Sequence, residues 1–301
     1  MIKITKHIKR FIIISVFLSG SIFILSSKAD TIPNINLTTI SDVNQGNSYI
    51  TFPTDIGNVE PLWFEANLIP NFQIRKNKNS RLMGVLTPQI IIRMYREYSY
   101  PVKTPSFMPQ VTMYYKLCKN RKNSTAFVRL AHHSNGQNEN FYSEENVINL
   151  NSGDFSTNYI ELGLIRAFFN ENLNATQFFK SSFKKILIED VNELNGLYSQ
   201  VRWKNSFSVF KIRQNEITKL KKKAGFSLNL DTEFMFGNIY SWSDKNIDRI
   251  NVGFTAFYTP KFFEDIGFFI NFYHGQDYYN IYFNHQLNII RFGIMTELLR
   301  F

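Results

Sequence analysis

The sequence predicts an all-β fold, a 12-stranded antiparallel transmembrane β-barrel, and three observations carry that prediction. The N-terminus has Lys3, Lys6, Lys9 and Arg10, then an apolar run from Phe11 to Leu25, then Ser26-Ser27-Lys28-Ala29. That order of basic, apolar and small residues is the pattern of a secretory signal, with the cut expected after Ala29. Beyond Ala29 no uninterrupted apolar stretch reaches the roughly 20 residues a spanning helix needs. Short segments of alternating apolar and polar residues follow instead, divided by turns containing Asn, Lys and Gly. The chain also has 30 Phe and 15 Tyr, yet its mean hydropathy is slightly negative. That combination suits strands with one face toward lipid, one toward a polar lumen, and aromatics at the interfaces.

The elements follow in order. Residues 1–29 form the expected signal peptide; the apolar run alone could also serve as an anchor, but the small-residue site favours cleavage. No cysteine lies near the junction, so lipid attachment there is not expected. Residues 30–45 read as a polar leader without clear periodicity, and 46–301 as the barrel, with no internal repeat and no second domain. Candidate strands fall near 47–54, 61–74, 81–96, 107–118, 124–134, 157–169, 175–189, 195–213, 224–237, 248–260, 264–276 and 288–301. Their number is even, as in single-chain bacterial barrels. The stretch 190–223 fits either one long strand or a strand with an insert. The last segment closes on Phe301, a terminal aromatic of the kind that marks outer-membrane barrels for assembly. Together these features predict the bacterial outer membrane as the location.

Composition also excludes some classes. A single cysteine, Cys118, permits neither an internal disulfide nor a cysteine-rich metal site, and reads as a strand filler. The formal charge is +10, but Lys3, Lys6, Lys9, Arg10 and Lys28 belong to the signal, leaving about +5. That is too little and too dispersed for nucleic acid. The dense basic run Lys219-Leu220-Lys221-Lys222-Lys223 reads as a solvated turn, with anionic headgroups as the other reading.

The most informative segment is Ala126 to Gly136. As a strand it puts Ala126, Val128, Leu130, His132 and Ser134 on one face, and Phe127, Arg129, Ala131 and His133 on the other. The first stripe is apolar and therefore faces lipid in a barrel, where a His and a Ser are costly. In the next strand Asn158 shares a face with Ile160, Leu162 and Leu164, so it reaches the same outward patch, while Glu161 faces the lumen. Serine needs a base to become a nucleophile, and the base needs a group that fixes its tautomer. His132 is the candidate base for Ser134, and Asn158 the candidate orienting group. The backbone N–H groups of Asn135 and Gly136 are candidate oxyanion donors, and Gly136 permits a tight departure from the strand. A polar rim that merely meets headgroups is the plainer alternative. His133 reads as a satisfied interior histidine; His274 and His285 have no evident partner.

With these residues in view, the chain resembles outer-membrane phospholipase A of Gram-negative bacteria. His132-His133-Ser134-Asn135-Gly136 and Ser156-Thr157-Asn158 look like its H-x-S-N-G and S-x-N motifs. The resemblance extends to Ser99-Tyr100-Pro101 through Pro109-Gln110-Val111, to Tyr258-Thr259-Pro260, and to Tyr273-His274-Gly275 through Phe283-Asn284. It covers most of 47–301 and thins out between about 170 and 225. It implies calcium-dependent hydrolysis of phospholipid acyl esters, with Ser134 as nucleophile, His132 as general base, Asn158 orienting and the Gly136 amide in the oxyanion hole. It also implies a homodimer with calcium at the interface, where Ser99, the Gln137 carbonyl and Ser143 stand as candidate ligands. Two departures stand out. The loop between Ser134 and Asn158 is longer than the family's, so Ser152 and Asp154 compete with Ser143, and the acidic side chains Glu139, Glu144 and Glu145 are further candidates. Gln137 also replaces an arginine.

Two other functions fit parts of the pattern. A lipid A deacylase also uses an outward H-x-S pair, completed by a glutamate, for which Glu144 or Glu145 would have to serve. A pore or adhesin would need no nucleophile, and its narrow lumen would be obstructed by charges such as Arg129 and Glu161.

Overall fold

The structure is a computed structural model that describes residues 35–77, 79–117, 124–170, 172–187, 192–212, 224–237, 239, 249–263 and 265–296. The expected signal peptide, Cys118, the Lys219 to Lys223 run and Phe301 lie outside the described residues.

Alternation of side chains at a period of two makes strands, and here it makes a closed wall of them. β1 (Tyr49–Thr51) and β2 (Ile56–Gly57) both pair with the final strand β14 (Gln286–Thr296), so together they make one interrupted stave. β3 (Leu62–Leu68) and β4 (Phe72–Ile74) both pair with β5 (Leu82–Tyr95) and make the second. The wall continues antiparallel through β6 (Ser106–Lys116), β7 (Ser124–Ser134), β8 (Ser156–Asn170), β9 (Ala175–Leu187) and β10 (Val201–Ile212). It then runs through β11 (Ala224–Phe236), β12 (Ile250–Tyr258) and β13 (Ile266–Gln276) to β14, which closes on β1. The barrel thus has twelve staves, as the sequence predicts. Within the ambiguous stretch 190–223 the described residues form a 3-10 turn at Asn192–Leu194 and the single strand β10, and 190–191 and 213–223 lie outside the described residues.

The two faces of the wall differ as parity requires. Leu130, Leu162 and Phe183 are more than half exposed on the outer face. Arg129 and Glu161 are buried inside and form an ion pair at 3.0 Å, and Ser182 donates a further hydrogen bond to Glu161 at 2.7 Å. A second interior cluster centres on Glu65, which accepts from Arg93 and Arg291, each at 2.7 Å, and from the Tyr49 and Tyr278 hydroxyls. A buried charge without a partner costs several kcal/mol, which is why these side chains occur as ion-paired networks.

Two plugs fill the ends of the lumen. Residues 35–45 are not the featureless leader expected from sequence: Leu37–Gln45 form a helix, α1, docked inside the barrel. Asn36 caps it by accepting from the Thr39 N–H at 3.0 Å. Ile35, Leu37 and Ile40 pack on Met83, Val85, Tyr114, Phe127, Ile165 and Phe178 near the short-turn end. Gln45 reaches Thr112 and Arg129, each at 3.0 Å. Thr and Ser are weak helix formers, so propensity concealed the helix; the Leu37, Ile40 and Val43 spacing behind Asn36 was its signal. At the other end, Phe141, Phe155, Leu194, Tyr198, Tyr279, Ile281 and Phe283 from three loops form a second apolar cluster. Arg93 anchors one of those loops by gripping both oxygens of Asp277 at 2.8 and 2.9 Å.

Candidate active site

β7 and β8 pair so that His132 lies opposite Asn158 and Ser134 opposite Ser156. All four point outward, since their neighbours Ala131, His133, Thr157 and Tyr159 are buried on the inner side. His132 Nδ1 lies 2.9 Å from Asn158 Oδ1. A carbonyl oxygen can only accept, so the imidazole carries its proton on Nδ1 and leaves Nε2 as the basic nitrogen. Ser134 is two residues further on the same face, about 7 Å along the strand. Among the described residues no hydrogen bond joins Ser134 to His132; catalytic contacts of this kind commonly close only around substrate.

The backbone after Ser134 turns sharply. Gly136 has φ +69°, a left-handed conformation that strains any residue with a Cβ. Space is not the constraint there, because an added Cβ would meet the Phe107 ring at an ordinary 3.5 Å. Of the two expected oxyanion donors, Asn135 is corrected by the structure: its N–H is spent on the Phe155 carbonyl at 3.0 Å. The ladder between β7 and β8 simply continues one residue further, and that leaves Gly136.

Sequence reasoning missed what the Asn135 side chain does. It is buried, donates to the Gly153 carbonyl at 2.9 Å, and accepts from the N–H groups of Phe155 at 2.9 Å and Gln137 at 3.2 Å. One amide thus fastens both ends of the long loop beside the nucleophile. The Asn-Gly pair was the available signal, since Asn readily bonds the backbone two residues on.

The interior expectations hold. His133 Nε2 lies 2.6 Å from Ser106 Oγ, and its ring meets Phe155 edge-on at 5.1 Å. Glu161 is committed to Arg129 inside the wall and cannot reach the outward patch. Glu144 and Glu145 stand exposed at the tip of a small hairpin closed by a bridge between Tyr142 and Ile148. His274 is corrected: its Nδ1 bonds Asn288 Oδ1, a cross-strand pair on β13 and β14. His285 packs against the Tyr282 ring at 5.7 Å.

The candidate calcium ligands are not gathered at one point. Ser99 sits in an exposed loop with φ +67°. Gln137 reaches Thr104 Oγ1 through its amide at 2.8 Å. Ser143 lies at the exposed hairpin tip. The base of the loop instead collects Glu139, Ser152 and Asp154: Ser152 donates to Glu139, and Asp154 N–H donates to the Glu139 carbonyl at 2.9 Å. Burial, and then the Glu193 carboxylate, push Asp154 above the usual carboxylate value. These are hard oxygen donors of the type calcium takes. Among the described residues no three acidic, histidine or cysteine side chains converge as a metal cage.

The fold and the outward Ser134, His132 and Asn158 together define a class: a twelve-stranded antiparallel barrel with hydrolase-type residues on its outer wall. Among solved structures this fold is that of outer membrane phospholipase A. Two structures of that protein from Escherichia coli, one an active-site mutant, match with TM-score 0.55 and 12% identity, covering 84% of this chain and 90% of theirs. The Salmonella typhi outer membrane phospholipase, a dimer with bound calcium, matches with TM-score 0.54 and 12% identity over 83% of this chain and 90% of its own. No family model matches the sequence, and no curated protein matches it. At this identity the likeness establishes the fold; the chemistry has to be argued from the residues.

Proposed function

We propose that this protein is an outer-membrane serine hydrolase that cleaves acyl esters of glycerophospholipids. The observation that carries the reading is the 2.9 Å hydrogen bond between His132 and Asn158, on the outer wall two residues from Ser134. An imidazole fixed as a base, beside a hydroxyl, on a surface built for hydrocarbon suits an insoluble ester that approaches from the side.

In this mechanism His132 Nε2 removes the proton from Ser134 Oγ as the oxygen attacks the acyl carbonyl. The Gly136 N–H, free of the β-ladder, donates to the developing oxyanion. His132 then returns the proton to the leaving glycerol oxygen, and water releases the acyl group by the same steps in reverse. Asn158 holds the ring throughout. It supplies no charge, and a neutral partner suits a base that sits next to lipid.

Calcium is the proposed cofactor and a homodimer the proposed active form. Ser99, Gln137 and Ser143 are the ligands the motifs suggest, with Glu139, Ser152 and Asp154 supported by their gathering at the loop base. Bound there, the ion would supply positive charge next to the developing oxyanion. The lipid A deacylase reading loses support because Glu144 and Glu145, on which it rests, stand exposed at a hairpin tip, and Glu161 is held inside the wall. The pore reading loses support from the helix and the aromatic cluster inside the lumen.

The test is acyl release from detergent-dispersed phospholipid by the purified protein, with calcium and with chelator, beside Ser134→Ala. Release that needs calcium and falls by at least about 1000-fold in the variant is expected. No release by folded protein at dimer-forming concentrations would sink the proposal and make lipid A the next substrate.

A further inference from the structure

The lumen between the two plugs holds a cavity of about 490 Å³, within the roughly 300–1,000 Å³ of small-molecule sites. Most of its charged lining is held in pairs. Arg129 is matched by Glu161, Arg291 by Glu65 and Asp55, and Glu233 by Arg202 and an Asn251 amide. Lys180 on β9 and Lys204 on β10 also line the cavity, and among the described residues neither forms a hydrogen bond or an ion pair.

Their positions make them a pair. Lys204 stands opposite Ser182 and Lys180 opposite Ser206, so the two lysines are diagonal neighbours on one inner face, about 7–8 Å apart at the backbone. Lys184, the same-face residue after Ser182 on β9, lies over the Tyr159 ring at 3.8 Å. Among the described residues the acidic groups near them are Glu161 and Glu233, already shared with Arg129 and Arg202, and Asp231, which also accepts from Asn229, while Asp42 of α1 lines the same cavity. On β7 to β11 the inner wall carries five basic groups (Arg129, Lys180, Lys184, Arg202 and Lys204) against three acidic ones (Glu161, Asp231 and Glu233), so this side of the cavity is locally basic. Half-buried ammonium groups that crowd one another on one face attract a counter-ion, and lysine is a common point-charge binder of phosphate.

We propose that the barrel lumen is an anion-binding chamber, in which Lys180 and Lys204 hold one small phosphate-type oxyanion between them. The cavity runs past α1 to Asn47, Phe257, Phe269 and Met295, along the wall on which the helix does not pack, since its apolar contacts lie on β5 through β11. The ligand class is inorganic phosphate or the phosphate of a free headgroup such as glycerol phosphate. The site faces away from Ser134, so it stands or falls independently of the hydrolase reading.

The experiment is calorimetric titration of the folded, detergent-solubilised protein with sodium phosphate, and separately with glycerol phosphate, each against sodium chloride at equal ionic strength. Saturable one-site binding is expected, weakened about tenfold in Lys180→Gln and in Lys204→Gln, because each removes one charge-assisted contact. Binding should be unchanged in Ser134→Ala and in Lys185→Gln, whose lysine is exposed on the outer face. Preference for inorganic phosphate or for glycerol phosphate identifies the source of the ligand. Heat-modifiable mobility on electrophoresis verifies that each variant is folded. No heat beyond chloride in the parent protein, or equal affinity in both folded lysine variants, would overturn the proposal.

Discussion

Replacing Asn158 by alanine tests the core of the proposed chemistry without touching the nucleophile. The substitution removes the acceptor 2.9 Å from His132 Nδ1, on the outer face where a methyl group is at home. Losing one well-formed hydrogen bond to a group that becomes charged in the transition state costs about 1–3 kcal/mol, or about 5- to 150-fold in rate. The loss should fall on kcat, with KM changed little, because Asn158 orients the base and is not proposed to contact substrate. Stability should stay nearly constant, since the bond is at the surface of the wall. The assay is initial-rate acyl release at saturating calcium over a range of phospholipid concentrations, with thermal unfolding in parallel. An Asn158→Ala protein with unchanged kcat would refute the role of this hydrogen bond. One as inactive as Ser134→Ala, yet equally stable, would show that Asn158 acts directly on the reacting atoms.

Further expectations concern the scaffold. Glu161→Leu strands Arg129 in the lumen and should destabilise the barrel by about 3–5 kcal/mol, read as a lower midpoint of denaturant unfolding. Gly136→Ala forces a Cβ into φ +69° at a cost of about 1–2 kcal/mol; acyl release should fall while the lumen networks keep the barrel folded. Asn135→Ala leaves three backbone groups of the long loop without their partner, so proteolysis within 138–153 should accelerate before global unfolding changes. Asp42, on α1, is raised from 3.8 to about 6, chiefly by burial, against the opposing effects of its Gln73 hydrogen bond and of Arg75. A raised carboxyl favours the folded state below pH 4 and loses that contribution as pH climbs through 6. Helix docking should therefore weaken between pH 4 and 7 by at most about 3 kcal/mol, and Asp42→Asn should flatten the dependence in a pH series of thermal unfolding.

The barrel was legible because its signal is repetitive: the same two-residue alternation recurs stave after stave, and parity alone sent His132, Ser134 and Asn158 outward and His133 and Glu161 inward. What parity cannot see is structure inside the lumen. Helix α1 escaped because its surface is half polar on both sides, and its apolar residues are too few to stand out against Thr and Ser. The partner of His274 was invisible for another reason. It depends on the exact register of β13 against β14, in which His274 faces Asn288, and a one-residue slip would have moved it to the other wall. The ligand geometry at Ser99, Gln137 and Ser143 belongs to loops, where backbone hydrogen bonds such as those of Asn135 set the shape and no periodic pattern exists to read.

The interrupted first stave gives the wall an uneven seam. Five residue pairs join β1 and β2 to β14, whereas thirteen join β8 to β9. A closed sheet has no edge only while its last joint holds. The joint to β14 that closes the cylinder, like the two-pair joint of β1 to β3, is where amide protons should exchange early, and where the cylinder should unzip when heated or pulled. During folding the same joint would form last, after the ten long strands have paired with their neighbours in sequence. The hydrolase-type residues on β7 and β8 lie half a turn around the barrel from that seam, so they sit in the part of the wall that breathes least.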